Sequence, residues 1–243
     1  MTTPFLSIVI PAYNEENRLP RTLRQVFAFL EKETYTYEVL VIENGSTDRT
    51  LEIAREFASN HSNLRVFHEE QRGKGYAVRR GMLEARGEFR FICDADLSMP
   101  IEEVNSFLPS LLNGFEIAIG SREAAGAIRY NEPTYRHWGG RAINFAIRLL
   151  ILPGLNDTQC GFKCFRAANA EALFRQQTLN GWSFDIEILY LAKRHGDRIK
   201  EIPIHWYYES ESKVNAVRDA IHIVSDIFRI YVNDLRGRYD FKS

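Results

Sequence analysis

Three cysteines in 243 residues, Cys93, Cys160 and Cys164, are too few to staple a fold and cannot pair completely. None stands in Cys-x-x-Cys spacing, so neither a disulfide framework nor a cysteine zinc site is expected, and the usage fits a reducing compartment. Charge of one sign is lacking too: 31 basic residues face 32 acidic ones, a formal net of −1. A global electrostatic grip on nucleic acid is therefore not expected, which leaves only a local basic patch open. No run reaches the ~18 uninterrupted apolar residues of a spanning helix. The nearest, Ala142 to Leu155, is broken by Asn144, Arg148 and Pro153. The opening Met-Thr-Thr-Pro-Phe-Leu carries no basic or apolar leader, so the chain as given is expected to be soluble. Repeats, low-complexity tracts and linkers are missing as well, which favours one domain over residues 1–243.

What is present is ordinary globular material, 45% apolar and 26% charged, and this excludes disorder or a fibre. The first half alternates strands with helices. Phe5 to Ile10 is a short apolar run stopped by Pro11, the pattern of a strand buried on both sides of a parallel sheet. Leu19, Leu23, Val26, Phe27 and Leu30 then recur at helical spacing. Further strands are expected at Tyr37–Ile42, Leu64–Phe67 and Phe89–Cys93, with helices between them. This alternation predicts right-handed crossovers and an α/β fold, a mostly parallel sheet with helices on both faces. The second half loses the rhythm. It holds strand patterns at Phe115–Ile119 and Ile202–Trp206 and a long C-terminal helix through Val217 to Leu235.

Ligands of a parallel sheet gather beyond the carboxyl ends of its strands. Pro11, Tyr13, Asn14 and Glu15 follow the first strand, Glu43 and Asn44 the second, and Asp94 and Asp96 the fourth. Asp94-Ala-Asp96 is the most informative of these. Two carboxylates one residue apart repel unless a cation lies beside them. Mg²⁺ or Mn²⁺ takes such oxygens and keeps positions open for substrate phosphates. Arg72-Gly-Lys-Gly75 lacks the spacing and ending of a Walker loop, and no Gly-x-Gly-x-x-Gly follows the first strand. A nucleoside triphosphatase and a dinucleotide-dependent dehydrogenase are thereby disfavoured. His68, His137, His195, His205 and His222 show no ligand spacing. Trp138, Trp182 and Trp206 read as packing residues, Trp138 lying beside a basic helix where lipid could touch it, and Cys160 as small and buried.

The ordered strings Ser7-Ile-Val-Ile-Pro-Ala-Tyr-Asn-Glu-Glu16, Glu43-Asn-Gly-Ser-Thr-Asp48, Gly73-Lys-Gly75 and Asp94-Ala-Asp-Leu97 resemble the motifs of family-two inverting glycosyltransferases with the GT-A fold. Asp157-Thr-Gln-Cys-Gly-Phe-Lys163, Trp182-Ser-Phe-Asp-Ile-Glu187 and Ser212-Lys213 are similar to the polyprenyl-phosphate branch, the dolichyl-phosphate glucose and mannose synthases, and closest to its glucosyl members. The resemblance implies a nucleotide-sugar half at about residues 1–120 and an acceptor half at about 121–243. It implies that Pro11, Tyr13, Glu15, Glu43, Asn44, Lys74, Asp94 and Ala95 serve the donor, with metal on Asp94 and Asp96. Glu43 and Asn44 stand where the family usually has two aspartates. Asp96, Asp157 and Gln159 are the implied catalytic set, Asp157 more as an orienting group than as a base. Ser98 stands where mannosyl members commonly carry glutamine, which leans away from them.

Between Ser121 and Leu150 lie five arginines, two glutamates and no lysine. A solvated helix face is the plain explanation. The family resemblance instead assigns Arg122 and Arg141, with Ser212 and Lys213, to the phosphate of a lipid acceptor. The expected reaction is metal-dependent transfer of a hexose, glucose from UDP-glucose, to a polyprenyl phosphate with inversion, at the cytoplasmic face of a membrane. Alternatives are a GDP-mannose-dependent synthase, a soluble acceptor, or a non-catalytic nucleotide-sugar-binding module. The C-terminal helix has two apolar sides, Val217/Ile221/Val224/Phe228 and Ile223/Ile227/Ile230. The surplus side calls for lipid, a membrane partner or a second copy of the chain.

Overall fold

The first strand, β1 (Leu6–Ala12), shows why its sequence is apolar nearly throughout. Successive side chains of a strand point to opposite faces. Leu6, Ile8 and Ile10 join one buried cluster and Val9 joins a second. In β2 (Tyr37–Glu43), Val39 and Val41 are parted from Leu40 and Ile42 in the same way. A strand covered on both sides has no solvent face to accept polar residues. The exception, Ser7, donates to Glu38 Oε1 at 2.7 Å.

The structure, a computed structural model, describes residues 3–109, 114–208 and 216–241. One face of the sheet is covered by α1 (Leu19–Leu30), α2 (Thr50–Asn60) and a 3₁₀ segment at Ile101–Phe107. The other carries α3 (Lys74–Glu84), part of α4 (Thr134–Leu150), α5 (Ala167–Gln176), α6 (Phe184–His195) and α7 (Ala216–Leu235). In α1 the buried Leu19, Leu23, Val26, Phe27 and Leu30 are those the helical spacing predicted. Gly196, at φ +85°, ends α6 by turning its N–H back to Ala192 and Lys193.

The remaining strands are β3 (Leu64–His68), β4 (Phe89–Ile92), β5 (Ile117–Ser121), β6 (Ile128–Tyr130), β7 (Lys163–Arg166), β8 (Ile199–Pro203) and β9 (His205–Tyr207). The main sheet has seven strands in the order β3-β2-β1-β4-β7-β5-β8. It is mostly parallel, as expected; β7 alone among the described strands of this sheet runs antiparallel to its neighbours. That reversal matters for the site. A reversed strand starts where its parallel neighbours end, so the stretch entering β7, Asp157–Phe162, arrives at the carboxyl rim.

The second half departs from its sequence pattern in two places. Lys163-Cys-Phe-Arg166 is a strand the sequence pattern does not announce, and its Lys163 is buried in the middle of the sheet, paired with Asp185 at 2.7 Å. The expected single strand Ile202–Trp206 is two strands in two sheets. β8 pairs with β5 as far as Pro203, which has no N–H to continue a ladder, and β9 crosses to pair with β6.

Candidate active site

Four strand ends converge on a cavity of about 480 Å³. From the end of β1 come Pro11, Tyr13 and Glu15, and Glu15 Oε2 receives Arg18 Nε at 2.6 Å. This loop is tied to the one after β2. Asn14 N–H donates to Ser46 Oγ at 3.1 Å, Glu15 N–H to Thr50 Oγ1 at 2.8 Å and Glu16 N–H to Asp48 Oδ2 at 3.1 Å. Asn44 lines the cavity, but its amide is occupied. Nδ2 donates to Gln71 O at 2.5 Å, and Oδ1 accepts the Gly73 N–H at 2.8 Å. An aspartate there could not make the first bond, so the departure from the family's usual pair serves the basic loop that carries Lys74. Glu43 does not line the cavity. Its carboxylate is buried, holding the Ser46 N–H and, at 2.5 Å, His68 Nδ1.

Asp94, Ala95 and Asp96 follow β4 and all line the cavity. Asp94 Oδ1 lies 2.6 Å from Lys74 Nζ. Burial lowers the affinity of Lys74 for its proton, but the charges of Asp94, Asp185 and Asp96 and the hydrogen bond to Asp94 together outweigh this, and its pKa is raised. Asp96 is raised as well, by burial first and then by the charge of Asp94. Its Oδ1 accepts the Ser98 N–H at 3.1 Å. The pair therefore offers hard oxygens in a partly desolvated place where added positive charge is favourable. Gly161, from the stretch entering β7, closes over Asp94 so tightly that a Cβ would stand 2.1 Å from Asp94 Oδ2.

At the other end stands Arg122, just after β5. Its Nε and Nη2 donate to Asp157 Oδ2 and Oδ1 at 2.6 and 2.9 Å, and its backbone N–H reaches Oδ2 at 3.0 Å. The guanidinium lies 5.5 Å from the centre of the Trp206 ring. Arg122 and Gln159 line the cavity, whereas Asp157 lies wholly buried behind the arginine. Burial pushes the Asp157 carboxyl up, but Arg122 overrides it and holds the pKa at about 2. Folded Asp157 thus stays ionised to lower pH than an unfolded aspartate, which takes its proton near ~3.9. The stability this contributes, on the order of 2 kcal/mol, is full above about pH 4 and lost as pH falls towards 2. Asp157→Asn should flatten that part of the acid-unfolding curve followed by circular dichroism.

Arg141 lies on α4, outside the cavity lining and about half exposed, with Nε 3.8 Å from Glu123 Oε2. Ser212, Lys213 and the side chains of His137, Trp138, Val217 and Ile221 lie outside the described residues. Two tryptophans read as packing residues have another place. Trp182 is 59% exposed and lines the cavity with the Lys74 ammonium 5.1 Å from its ring centre, and Trp206 lines it beneath Arg122. The cue was available: Trp182 opens the same string that supplies Asp185 and Glu187. Met99 and Tyr208 also line the cavity and carry no signal in the sequence, while Arg72 lines it from the basic loop that is not a Walker motif. Cys160 is buried as expected, its thiol pushed up to about 12 by burial.

The sequence model for glycosyl transferase family 2 matches residues 7–174. The chain belongs to glycosyl transferase family 2. As a family-two member it is a glycosyltransferase, and relatives sharpen the comparison. It is 34% identical over 257 residues to a dolichyl-phosphate beta-glucosyltransferase of Drosophila melanogaster, covering 98% of this chain and 78% of that protein. Against the human protein of that name the identity is 32%, covering 98% and 78%. Against the Saccharomyces cerevisiae one it is 34%, covering 97% and 76%. Among solved structures, glucosyl-3-phosphoglycerate synthase from Mycobacterium tuberculosis, crystallised with Mn²⁺, UDP-glucose and phosphoglyceric acid, superposes with a TM-score of 0.66 at 18% identity, covering 93% of this chain and 79% of that one. The same enzyme with Mg²⁺ and UDP gives 0.65. At that identity the likeness establishes the GT-A fold.

Proposed function

We propose that the chain transfers glucose from UDP-glucose to the phosphate of a polyprenol at the cytoplasmic face of a membrane, inverting the anomeric carbon. The observation that carries this reading is one cavity with two unlike ends, Asp94, Asp96 and Lys74 at one and Arg122 over Trp206 at the other. The first end suits a diphosphate and the second a phosphate acceptor. The names of the relatives matched over nearly the whole chain support a glucosyl group and a polyprenyl-phosphate acceptor.

In the reaction, an acceptor phosphate oxygen forms the new bond to the anomeric carbon as the bond to the diphosphate breaks, its electron pair leaving with the nucleotide. A phosphate monoester is largely dianionic at pH 7, since its second pKa is near ~6, so it needs positioning more than a base. That agrees with an Asp157 already committed to Arg122. Pro11, Tyr13, Glu15, Asn44 and Ala95 would line the nucleoside, with Glu43 shaping their loop from behind. Lys74 would meet the diphosphate, and Gln159 and Arg122 the sugar and acceptor. Asp96 and Asp94 would hold Mg²⁺ or Mn²⁺, which when bound neutralises charge developing on the diphosphate. Arg141, Ser212 and Lys213 complete the proposed acceptor set. A panel of nucleotide sugars, each with Mg²⁺ or Mn²⁺ and polyprenyl phosphate in detergent, tests the reading. UDP-glucose should be preferred; preference for GDP-mannose, or transfer only to a soluble acceptor, would overturn it.

No helix among the described residues is long and apolar enough to cross a membrane. α7 buries Ile223, Ile227 and Ile230 but exposes Val224 and Phe228, the latter by 70%. α4 exposes Phe145 and Leu149 beside Arg141 and Arg148, and Tyr231 of α7 donates its hydroxyl to Leu150 O, joining the two faces. α4 carries no carboxylate at all. Interfacial cations near anionic lipid contribute about 1 kcal/mol each. The protein is expected to sediment with anionic vesicles at low salt and to leave them as salt rises. Reversing Arg141 and Arg148 together should weaken this, and reversing the distant Arg55 should not. Equal binding to neutral and anionic vesicles, or none to either, would reject electrostatic docking, and none to either would favour a second copy of the chain as the cover.

A further inference from the structure

Glu187, in the first turn of α6, is wholly buried and does not line the cavity. Its two oxygens receive the Thr178 N–H at 3.1 and 3.0 Å. The Thr178 hydroxyl, the Leu179 N–H and the Tyr239 hydroxyl donate at 2.6, 2.7 and 2.7 Å. Tyr239 lies just beyond α7. Asn233, near the end of that helix, donates to Thr178 Oγ1 at 2.9 Å and to Tyr239 Oη at 3.4 Å. The end of α7 and the start of α6 thus grip Thr178 and Leu179, the start of the short segment 178–182 that leads into α6.

That segment is the wall behind Lys74. Gln177 Nε2 donates to Gly75 O at 2.9 Å, and Gly75 N–H donates to Asn180 O at 2.9 Å. The approach admits no side chain, since a Cβ on Gly73 would stand 2.3 Å from Asn180 O and one on Gly75 2.7 Å from Leu179 O. Lys74 sits between these two glycines. Its ammonium spans Asp94 and the ring of Trp182, the residue that closes the same segment. Backbone packed directly on backbone leaves no slack, so a shift of residues 178–182 carries Lys74 with it.

We propose that Glu187 and Tyr239 are positioning residues, through which the C-terminal end of α7 sets where Lys74 and Trp182 stand in the donor cavity. The ligand named in the test, uridine diphosphate, rests on the donor reading above. The named partners of the Glu187 carboxylate are all uncharged dipoles. Removing one leaves a buried anion short of a hydrogen bond and free to shift.

Tyr239→Phe removes one hydroxyl and keeps the ring. It is expected to weaken uridine diphosphate binding in calorimetry, and to raise the donor KM, by on the order of tenfold, with kcat at saturating donor changed less than about twofold. Glu187→Gln should act in the same direction. In a Lys74→Met background, Tyr239→Phe should add less than about twofold, because its effect passes through the lysine. Tyr190→Phe is the control. It removes another tyrosine–carboxylate bond between α6 and α7, Tyr190 Oη to Asp234 Oδ2 at 2.6 Å, and should leave donor binding unchanged. Without ligand, amide hydrogen exchange at residues 73–77 should quicken in Tyr239→Phe while β1 stays as it was. Full additivity with Lys74→Met, or unchanged exchange at 73–77, overturns the inference. Should the wild type bind no uridine diphosphate while exchange rises as expected, the donor reading fails and the positioning of Lys74 stands.

Discussion

Asp96→Ala is expected to slow transfer by about 10³-fold or more, which corresponds to roughly 4 kcal/mol of lost transition-state stabilisation. The argument starts from the strand end. Asp94 and Asp96 share one wall, and the pKa of Asp96 is raised by burial and by its neighbour's charge. Such a carboxylate gains when a divalent cation arrives, and an alanine offers that cation nothing. Asp96→Asn is the sharper variant. Its amide oxygen can still accept the Ser98 N–H that Asp96 Oδ1 accepts at 3.1 Å, so the loop should keep its shape. It lacks the charge, and a neutral amide ligates Mg²⁺ or Mn²⁺ poorly, so most activity should go with it. Initial rates with UDP-glucose and polyprenyl phosphate, with and without a chelator, measure both. Either variant working at the wild-type rate in chelator would remove the metal from Asp96.

Arg122→Ala should bring two losses at once, and they separate cleanly. Asp157 is wholly buried and its partner is this arginine, so truncation strands an anion in the interior. Breaking a buried pair from one side costs about 3–5 kcal/mol. In a chain of this length that lowers Tm by roughly 6–20 °C. The second loss is functional. Arg122 Nε and Nη2 already go to Asp157, so a phosphate would take Nη1, and losing a charge-assisted bond of this kind raises the acceptor KM about 10- to 150-fold. Replacing the pair by Arg122→Met with Asp157→Leu should return much of the Tm and none of the acceptor use, since apolar isosteres often substitute for a buried ion pair in stability alone. Arg141→Ala, on an exposed helix face, should weaken acceptor use with Tm almost unchanged. Calorimetric titration of uridine diphosphate completes the comparison. Donor affinity falling as far as acceptor use would move both arginines to the nucleotide end.

Much of the scaffold was legible because it obeys short periods. The both-sided burial of β1 and β2 follows from unbroken apolar runs, and the buried face of α1 from a 3.6-residue repeat. The polar residues after β1, β2 and β4 pointed to the rim because a parallel sheet gathers its strand ends there. Less legible were the parts whose meaning lies in a partner far along the chain. Lys163 closes a motif string with no role legible until Asp185 is found beside it, and Trp182 reads as a packing residue until the Lys74 ammonium is found over its ring. Asn44 reads as a donor contact until Gln71 and Gly73 take up its amide.

The sequence by itself determined the α/β architecture and the family, because hydrophobic period and ordered motifs are local properties of the chain. Tertiary structure alone decided which motif residues reach the cavity. Glu43 and Asp157 lie in the expected strings yet face inward, held by the Ser46 N–H and His68 in one case and by Arg122 in the other. A buried carboxylate must be matched by donors wherever they occur in sequence. Its direction is therefore set by neighbours brought together across the sheet, and no local pattern encodes them.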